Sequence, residues 1–236
     1  MPPLAKMPPI TIPPSALAPF GARWQSNGQK LSRTPPYSSS QLGELFDQAI
    51  AASLAIMLGG LKIVKPSQNA LTPSQPLCVE MGEARVVGGV RPQSFDVVFR
   101  PDGPRFTHDT KTLNDEESIG KNWQNMINDI ATEATTVHTR FPHAIVTFLV
   151  VYPQPSVPKA QLEATIETLE RLARRDSFED AVYLSEAISL ILWDPSSGKI
   201  DPTTPLPGSS LRYEKYSTSV EKTYVSRYKG LPPHVV

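Results

Sequence analysis

QSFDVVFRPDGPRFTHDTKTL, residues 93–113, contains two runs of strand-like sequence on either side of Asp102-Gly103. An Asp-Gly pair between two such runs is a strong signal for a β-hairpin with a two-residue turn. If Asp102 and Gly103 form that turn, the numbers of paired residues sum to 205, and Phe99 faces Phe106. The stretch therefore predicts an antiparallel hairpin with a defined register.

Helices and strands alternate around this hairpin. Apolar residues at helical spacing predict helices over residues 42–57, 118–138 and 158–175. Strands are predicted over residues 77–87, 93–99, 105–113, 144–152 and 187–193. The last two are apolar on both faces, as is typical of central strands covered by helices on both sides. A hairpin followed by crossover helices predicts an α/β protein, a three-layer sandwich around a central mixed β-sheet.

The predicted register places two carboxylates opposite each other. Asp96 lies across from Asp109, and Lys111 shares a face with Asp109, whereas His108 and Thr110 point to the other face. Like charges directly opposite each other destabilise a sheet. A divalent cation is the simplest reason for a fold to keep both acids.

Asp96, twelve intervening residues and then Asp109-Thr110-Lys111 resemble the active-site signature of the PD-(D/E)xK nuclease superfamily. The resemblance covers residues 40–195 in element order and only a few residues in motif. It implies metal-dependent hydrolysis of phosphodiester bonds. Asp96 and Asp109 would hold Mg²⁺ with the Thr110 carbonyl, and Lys111 would orient or help to deprotonate the attacking water. The candidates for an additional acid are Glu44, Asp47, Glu80 and Glu83.

The resemblance further implies a Type II restriction endonuclease, which cuts double-stranded DNA site-specifically as a homodimer. Candidate DNA contacts on the helix after the hairpin are Lys121, Asn122, Gln124 and Asn125. A basic, tyrosine-rich segment near the carboxy terminus adds Arg212, Lys215, Arg227 and Lys229. Two alternatives remain: a structure-specific repair or junction-resolving nuclease, and a non-catalytic nucleic-acid-binding protein with the same fold.

The charge is distributed unevenly along the 236 residues. Net charge is zero, but residues 1–40 carry +4, residues 41–205 carry −7 and residues 206–236 carry +3. Nine of the 25 prolines fall within residues 1–40, which predicts an extended or disordered basic arm. The division is therefore an amino-terminal arm, a nuclease-like core and a basic carboxy-terminal segment.

The composition also indicates the compartment. A single cysteine, Cys78, excludes an internal disulfide and a thiolate zinc site. The longest apolar run is far shorter than the roughly 20 residues of a membrane span. We therefore expect an intracellular, cytoplasmic protein without a membrane partner.

Overall fold

The computed structural model describes residues 3–234. Over this range the helices are α1 (Pro14–Ser26), α2 (Ser39–Met57), α3 (Glu116–His138), α4 (Lys159–Leu172) and α5 (Tyr213–Tyr228). The strands are β1 (Lys62–Val64), β2 (Cys78–Val87), β3 (Pro92–Phe99), β4 (Phe106–Thr112), β5 (Ile145–Pro153) and β6 (Ala187–Trp193). One turn of 3₁₀-helix, Gln154–Ser156, follows β5. None of the helices in this range is long and apolar enough to cross a membrane.

The six strands form one mixed sheet in the order β1-β2-β3-β4-β5-β6. β1 is parallel to β2, the pairs β2–β3 and β3–β4 are antiparallel, and β4, β5 and β6 are parallel. Helices α1, α2 and α5 pack on one face, and α3 and α4 pack on the other. Every residue of β5 and β6 is buried, as expected for strands covered on both sides. The predicted three-layer α/β sandwich is confirmed.

Helix α2 begins at a capping box. The Ser38 hydroxyl accepts a hydrogen bond from the Gln41 amide (3.3 Å), and the Gln41 side chain accepts one from the Ser38 amide (3.1 Å). The helix ends before Gly59 and Gly60, which have positive φ (86° and 80°), a conformation that glycine adopts without strain. Its inward face contains the fully buried Leu42, Phe46, Ile50 and Leu54. This apolar stripe holds the helix against the sheet and thereby fixes the polar residues that it carries.

The predicted hairpin register is confirmed, but the predicted two-residue turn is wrong. β3 and β4 pair Phe99 with Phe106, and the ladder ends there. The Arg105 amide donates to the Phe99 carbonyl (2.9 Å), so residues 100–105 form a six-residue connection. The prolines on both sides of the Asp-Gly pair have no amide hydrogen and cannot extend the ladder. Asp102 instead accepts hydrogen bonds from the Arg105 side chain (2.8 and 2.5 Å).

The prediction of an extended arm is wrong for residues 3–40, and residues 1 and 2 lie outside the described residues. Helix α1 lies within it, and Leu17, Phe20 and Trp24 are buried in the same core as α2. Pro14 occupies the first helical position, where the missing amide hydrogen costs nothing. One of the prolines that predict an extended chain therefore begins a helix in the structure.

The tyrosines near the carboxy terminus belong to the core. Residues 213–228 form α5, and Tyr216, Tyr224 and Tyr228 are buried at intervals of eight and four residues, which places them on one helix face. These three rings pack against the sheet and do not form part of an exposed basic and aromatic surface.

Candidate functional site

Asp96 lies where the sheet is irregular. A β-bulge in β2 shifts the register between Met81 and Ala84, opposite this part of β3. The pairing of β3 with β4 also stops at Val97, one residue short of Asp96. The aspartate therefore lies at the point where the two strands separate. Its Oδ2 accepts a hydrogen bond from the Thr110 amide across the gap (3.0 Å).

The predicted residues Asp96, Asp109 and Lys111 come together at this point. Nζ of Lys111 lies 2.5 Å from Oδ2 of Asp109 and 2.8 Å from Oε1 of Glu133 in α3. The Asp109 carboxylate lies close enough to Asp96 to raise the pKa of the Asp96 carboxyl. Three carboxyl groups and one ammonium thus form a largely buried cluster, which we call the carboxylate–lysine cluster.

The protonation of the cluster reflects this crowding. Burial, with the nearby carboxylates of Asp109 and Asp47, raises the pKa of Asp96 to about 9. Burial and Asp109 likewise raise the pKa of Glu133 to about 8. Burial also acts to raise the pKa of Asp109, but the Lys111 ammonium and several hydrogen bonds outweigh it and lower that pKa. Burial opposes the charge of Lys111, yet its two carboxylate partners raise its pKa. The cluster therefore retains protons at neutral pH in the absence of another cation.

Sequence reasoning misses Glu133, although the sequence contains a signal for it. The residue falls in the apolar stripe of α3, among Ile130, Ala134 and Val137. A carboxylate on the buried face of a helix requires a partner, because burying an unpaired charge is costly. Lys111 is that partner, so the interruption of the stripe marks a functional candidate.

The opposite face of β4 carries a chain of buried hydrogen bonds that ends on Asp47. The Thr110 hydroxyl donates to Oδ1 of Asp47 (2.6 Å) and lies 3.0 Å from Nε2 of His108. Burial lowers the pKa of His108 to about 3, so the ring is neutral. Because the Thr110 hydroxyl donates to Asp47, it accepts from Nε2–H, and Nδ1 is then an acceptor that faces the hydroxyls of Tyr216 (2.9 Å) and Thr147 (3.0 Å). Burial raises the pKa of Asp47 itself to about 7.

The four candidates for an additional acid lie in different surroundings. Glu80 forms a buried ion pair with Arg100 (2.6 and 3.0 Å), which occupies its carboxylate. Glu44 and Glu83 are exposed, and together with Asp47 they line a cavity of about 790 Å³ beside the cluster. Of these acids, Asp47 is the one whose carboxyl is both buried and hydrogen-bonded to β4, through the Thr110 hydroxyl.

The predicted DNA-contact residues fall into two groups. Those on α3 are exposed: Lys121, Asn122, Gln124 and Asn125. Three of the four after residue 206 are engaged within the protein: Arg212 by Glu214 and two carbonyls, Lys215 by two carbonyls, and Arg227 by the buried Glu186. Lys229, just after α5, is the exposed member of that set.

Asp96 and Asp109 fit a hard divalent cation as ligands. Two carboxyl groups that are buried near each other repel when both are ionised, and a proton or a cation between them offsets that repulsion. Carboxylate and carbonyl oxygens are the ligands that Mg²⁺ and Ca²⁺ prefer. As the side chains stand, no group of three or more His, Cys, Asp and Glu residues within positions 3–234 is placed to hold a metal ion.

Comparison of the chain with protein-family models, curated proteins and solved structures finds no match. The fold and the site define an α/β sandwich whose central hairpin carries a carboxylate–lysine cluster beside a cavity. Such a cluster can bind a hard cation through its acids and a phosphate through its ammonium.

Proposed function

We propose that this protein is a Mg²⁺-dependent endonuclease that hydrolyses phosphodiester bonds in double-stranded DNA. The observation that carries the proposal is the convergence of three groups where β3 and β4 separate: Asp96, which the Thr110 amide holds, and Asp109 with the Lys111 ammonium. This arrangement resembles the PD-(D/E)xK pattern in both residue types and strand positions. Sequence-specific cleavage by a homodimer, as in Type II restriction endonucleases, is the finer form of the proposal.

Asp96 and Asp109, with the Thr110 carbonyl, would hold the cation. Bound there, Mg²⁺ would supply an activated water and offset the negative charge that grows on the phosphate. The Thr110 amide fixes the orientation of Asp96 through its hydrogen bond to Oδ2. The Asp47 carboxyl is fixed in turn by the Thr110 hydroxyl, so one residue aligns acids from two elements.

Lys111 acts as a donor and not as a base. Its two carboxylate partners raise its pKa, which keeps the ammonium protonated at neutral pH. The ammonium can therefore donate hydrogen bonds to the attacking water or to a phosphate oxygen. Glu133 is a positioning residue, because its Oε1 lies 2.8 Å from Nζ of Lys111 and holds the ammonium in place.

The test is incubation of the purified protein with unmethylated plasmid and phage DNA in Mg²⁺, beside Asp109→Asn and Lys111→Met. We expect discrete fragments from the wild type and a loss of at least about 10²-fold in each variant, which is typical for removal of a group that stabilises transition-state charge. Asp129→Asn is the matched control, because Asp129 is an exposed acid on α3 and its variant should cut like the wild type.

Other outcomes would redirect the proposal. Cleavage of branched or damaged DNA alone would favour a structure-specific nuclease. DNA binding without cutting in any metal would favour a non-catalytic binding protein. Equal inertness of the wild type and both variants on all substrates would contradict a nuclease.

A further inference from the structure

A cavity of about 790 Å³ lies directly beside the carboxylate–lysine cluster. It is bordered by α2, by β1 with the segment that follows it, and by the bulged part of β2 with the facing part of β3. Asp47 and Asp96 line it, so it opens onto the proposed active site. We call it the β1 cleft. Its volume falls within the range of roughly 300–1,000 Å³ that is usual for ligand sites.

Two cations without a carboxylate partner line the β1 cleft. Lys65 is exposed just after β1, and Arg85 lies in β2 beyond the bulge. Among residues 3–234, neither forms an ion pair. The Arg85 guanidinium donates one long hydrogen bond, to the amide oxygen of Asn69 (3.4 Å). Glu44 and Glu83 also line the cleft, so its acids can serve a metal cation while its two cations serve an anion.

The segment 65–76, on one side of the cleft, is held in place by a buried ion pair. The Arg100 side chain, paired with Glu80, donates to the Thr72 carbonyl (3.1 Å). The Ser74 amide donates to Glu80 (3.3 Å), and the Ser74 hydroxyl donates to the Lys65 carbonyl (3.3 Å). The backbone that carries Lys65 is therefore fixed before any substrate arrives, which lowers the ordering cost of binding.

We infer that the β1 cleft binds the DNA strand next to the bond that is cut, an inference that rests on the function proposed above. Lys65 and Arg85 contact phosphates of that strand. The amides of Gln68 and Asn69 and the exposed Ile63, all in the cleft lining, contact its sugars and bases. A nucleic-acid strand alternates charged phosphates with neutral faces, and the lining offers the same two kinds of surface. The strand binds together with the divalent cation, because the cleft acids repel phosphate until a cation neutralises them.

The test measures binding of a fluorescently labelled DNA duplex by anisotropy, in Ca²⁺ and in EDTA, over a series of salt concentrations. Ca²⁺ takes the same oxygen ligands as Mg²⁺. The variants are Lys65→Ala, Arg85→Ala and the double variant. The matched controls are Lys62→Ala and Arg91→Ala, because both residues are exposed cations outside the cleft lining.

In Ca²⁺ we expect each cleft variant to bind DNA more weakly than the wild type, by about the same factor on every DNA sequence. Each lost phosphate contact should reduce the slope of log K against log salt by about 0.9, and the double variant should lose about 1.8. The control variants should keep the wild-type slope. In EDTA the wild type and the cleft variants should bind DNA with similar affinity.

The outcomes separate this inference from the proposed function. If the wild type cuts DNA but the cleft variants keep the slope of the controls, the cleft inference is overturned and the nuclease proposal stands. If nothing cuts but binding still depends on Lys65 and Arg85, the nuclease proposal fails and the cleft stands. If the wild type neither binds nor cuts DNA, both are overturned.

Discussion

Replacing Asp96 by asparagine should stabilise the protein when no divalent cation is present. The Asp96 carboxyl is largely buried near the carboxylate of Asp109. An asparagine of nearly the same shape keeps an oxygen that accepts the hydrogen bond from the Thr110 amide, and its amide group can donate to Asp109. The substitution therefore removes the cost of keeping this carboxyl protonated and retains the packing.

The magnitude follows from the shift of the pKa of Asp96 from 3.8 to about 9. The folded protein holds a proton in this pH window that the unfolded chain has released, so stability falls as pH rises from about 4 to about 9. At pH 7 the ceiling of the penalty is about 4 kcal/mol, at about 1.4 kcal/mol for each pKa unit. Since solvent and neighbouring groups relax around buried charges, we expect Asp96→Asn to gain on the order of 1–3 kcal/mol.

Urea unfolding in EDTA at pH 5, 7 and 8.5 measures this gain. It should increase with pH for Asp96→Asn, whereas Asp129→Asn, an exposed acid on α3, should stay within about 0.5 kcal/mol of the wild type at each pH. Saturating Ca²⁺ or Mg²⁺ should then narrow the difference, because a ligand at 100 times its dissociation constant adds about 2.7 kcal/mol to the form that binds it. A variant less stable than the wild type at pH 8.5, or a gain that does not change with pH, would refute the reasoning.

Two further predictions concern buried polar groups. Tyr216→Phe removes the hydroxyl that lies between His108 and Thr147 (2.9 and 2.7 Å). It should lower kcat about 5-fold, or about 1 kcal/mol, with KM unchanged. Single-turnover cleavage and thermal melting check this, and a proportional rise in KM would argue against a positioning role. Glu186→Gln leaves the side chains of Arg175 and Arg227, both buried, without their carboxylate partner. The free energy of unfolding should therefore fall by about 3–5 kcal/mol. An unchanged midpoint of urea unfolding would show that other groups stabilise the two arginine charges.

The central part of the fold could be predicted because its local signals agree. Strand alternation and the Asp-Gly pair place the hairpin, and hydrophobic spacing places α2, α3, α4, β5 and β6. The ends of the chain could not be predicted in this way. Pro14 and Pro19 lie inside α1 and break its periodicity, and the apolar face of α5 consists of tyrosines that also suit a nucleic-acid surface. Both helices form because tertiary burial outweighs weak local preference.

The candidate site was predictable as far as strand register reaches. The register brings Asp96 level with Asp109 and puts Lys111 on the face of Asp109. Glu133 and the chain from Tyr216 to Asp47 depend on how helices pack across the sheet, and periodicity does not fix that packing. The Glu80–Arg100 pair depends on the register of β2 against β3, which the bulge between Met81 and Ala84 shifts and local sequence does not fix.

The irregularities of the sheet and the acids of the site are parts of one arrangement. A regular ladder would hold Asp96 and Asp109 in direct opposition as a destabilising pair. The bulge in β2 and the separation of β3 from β4 let Asp96 turn toward the Thr110 amide instead, but they leave its carboxyl buried and protonated. A divalent cation that displaces this proton binds only the folded chain and adds its binding free energy to stability. If the cation binds as proposed, the residues that hold it also weaken the cation-free protein, so a variant that gains stability at Asp96 should lose cation binding in proportion.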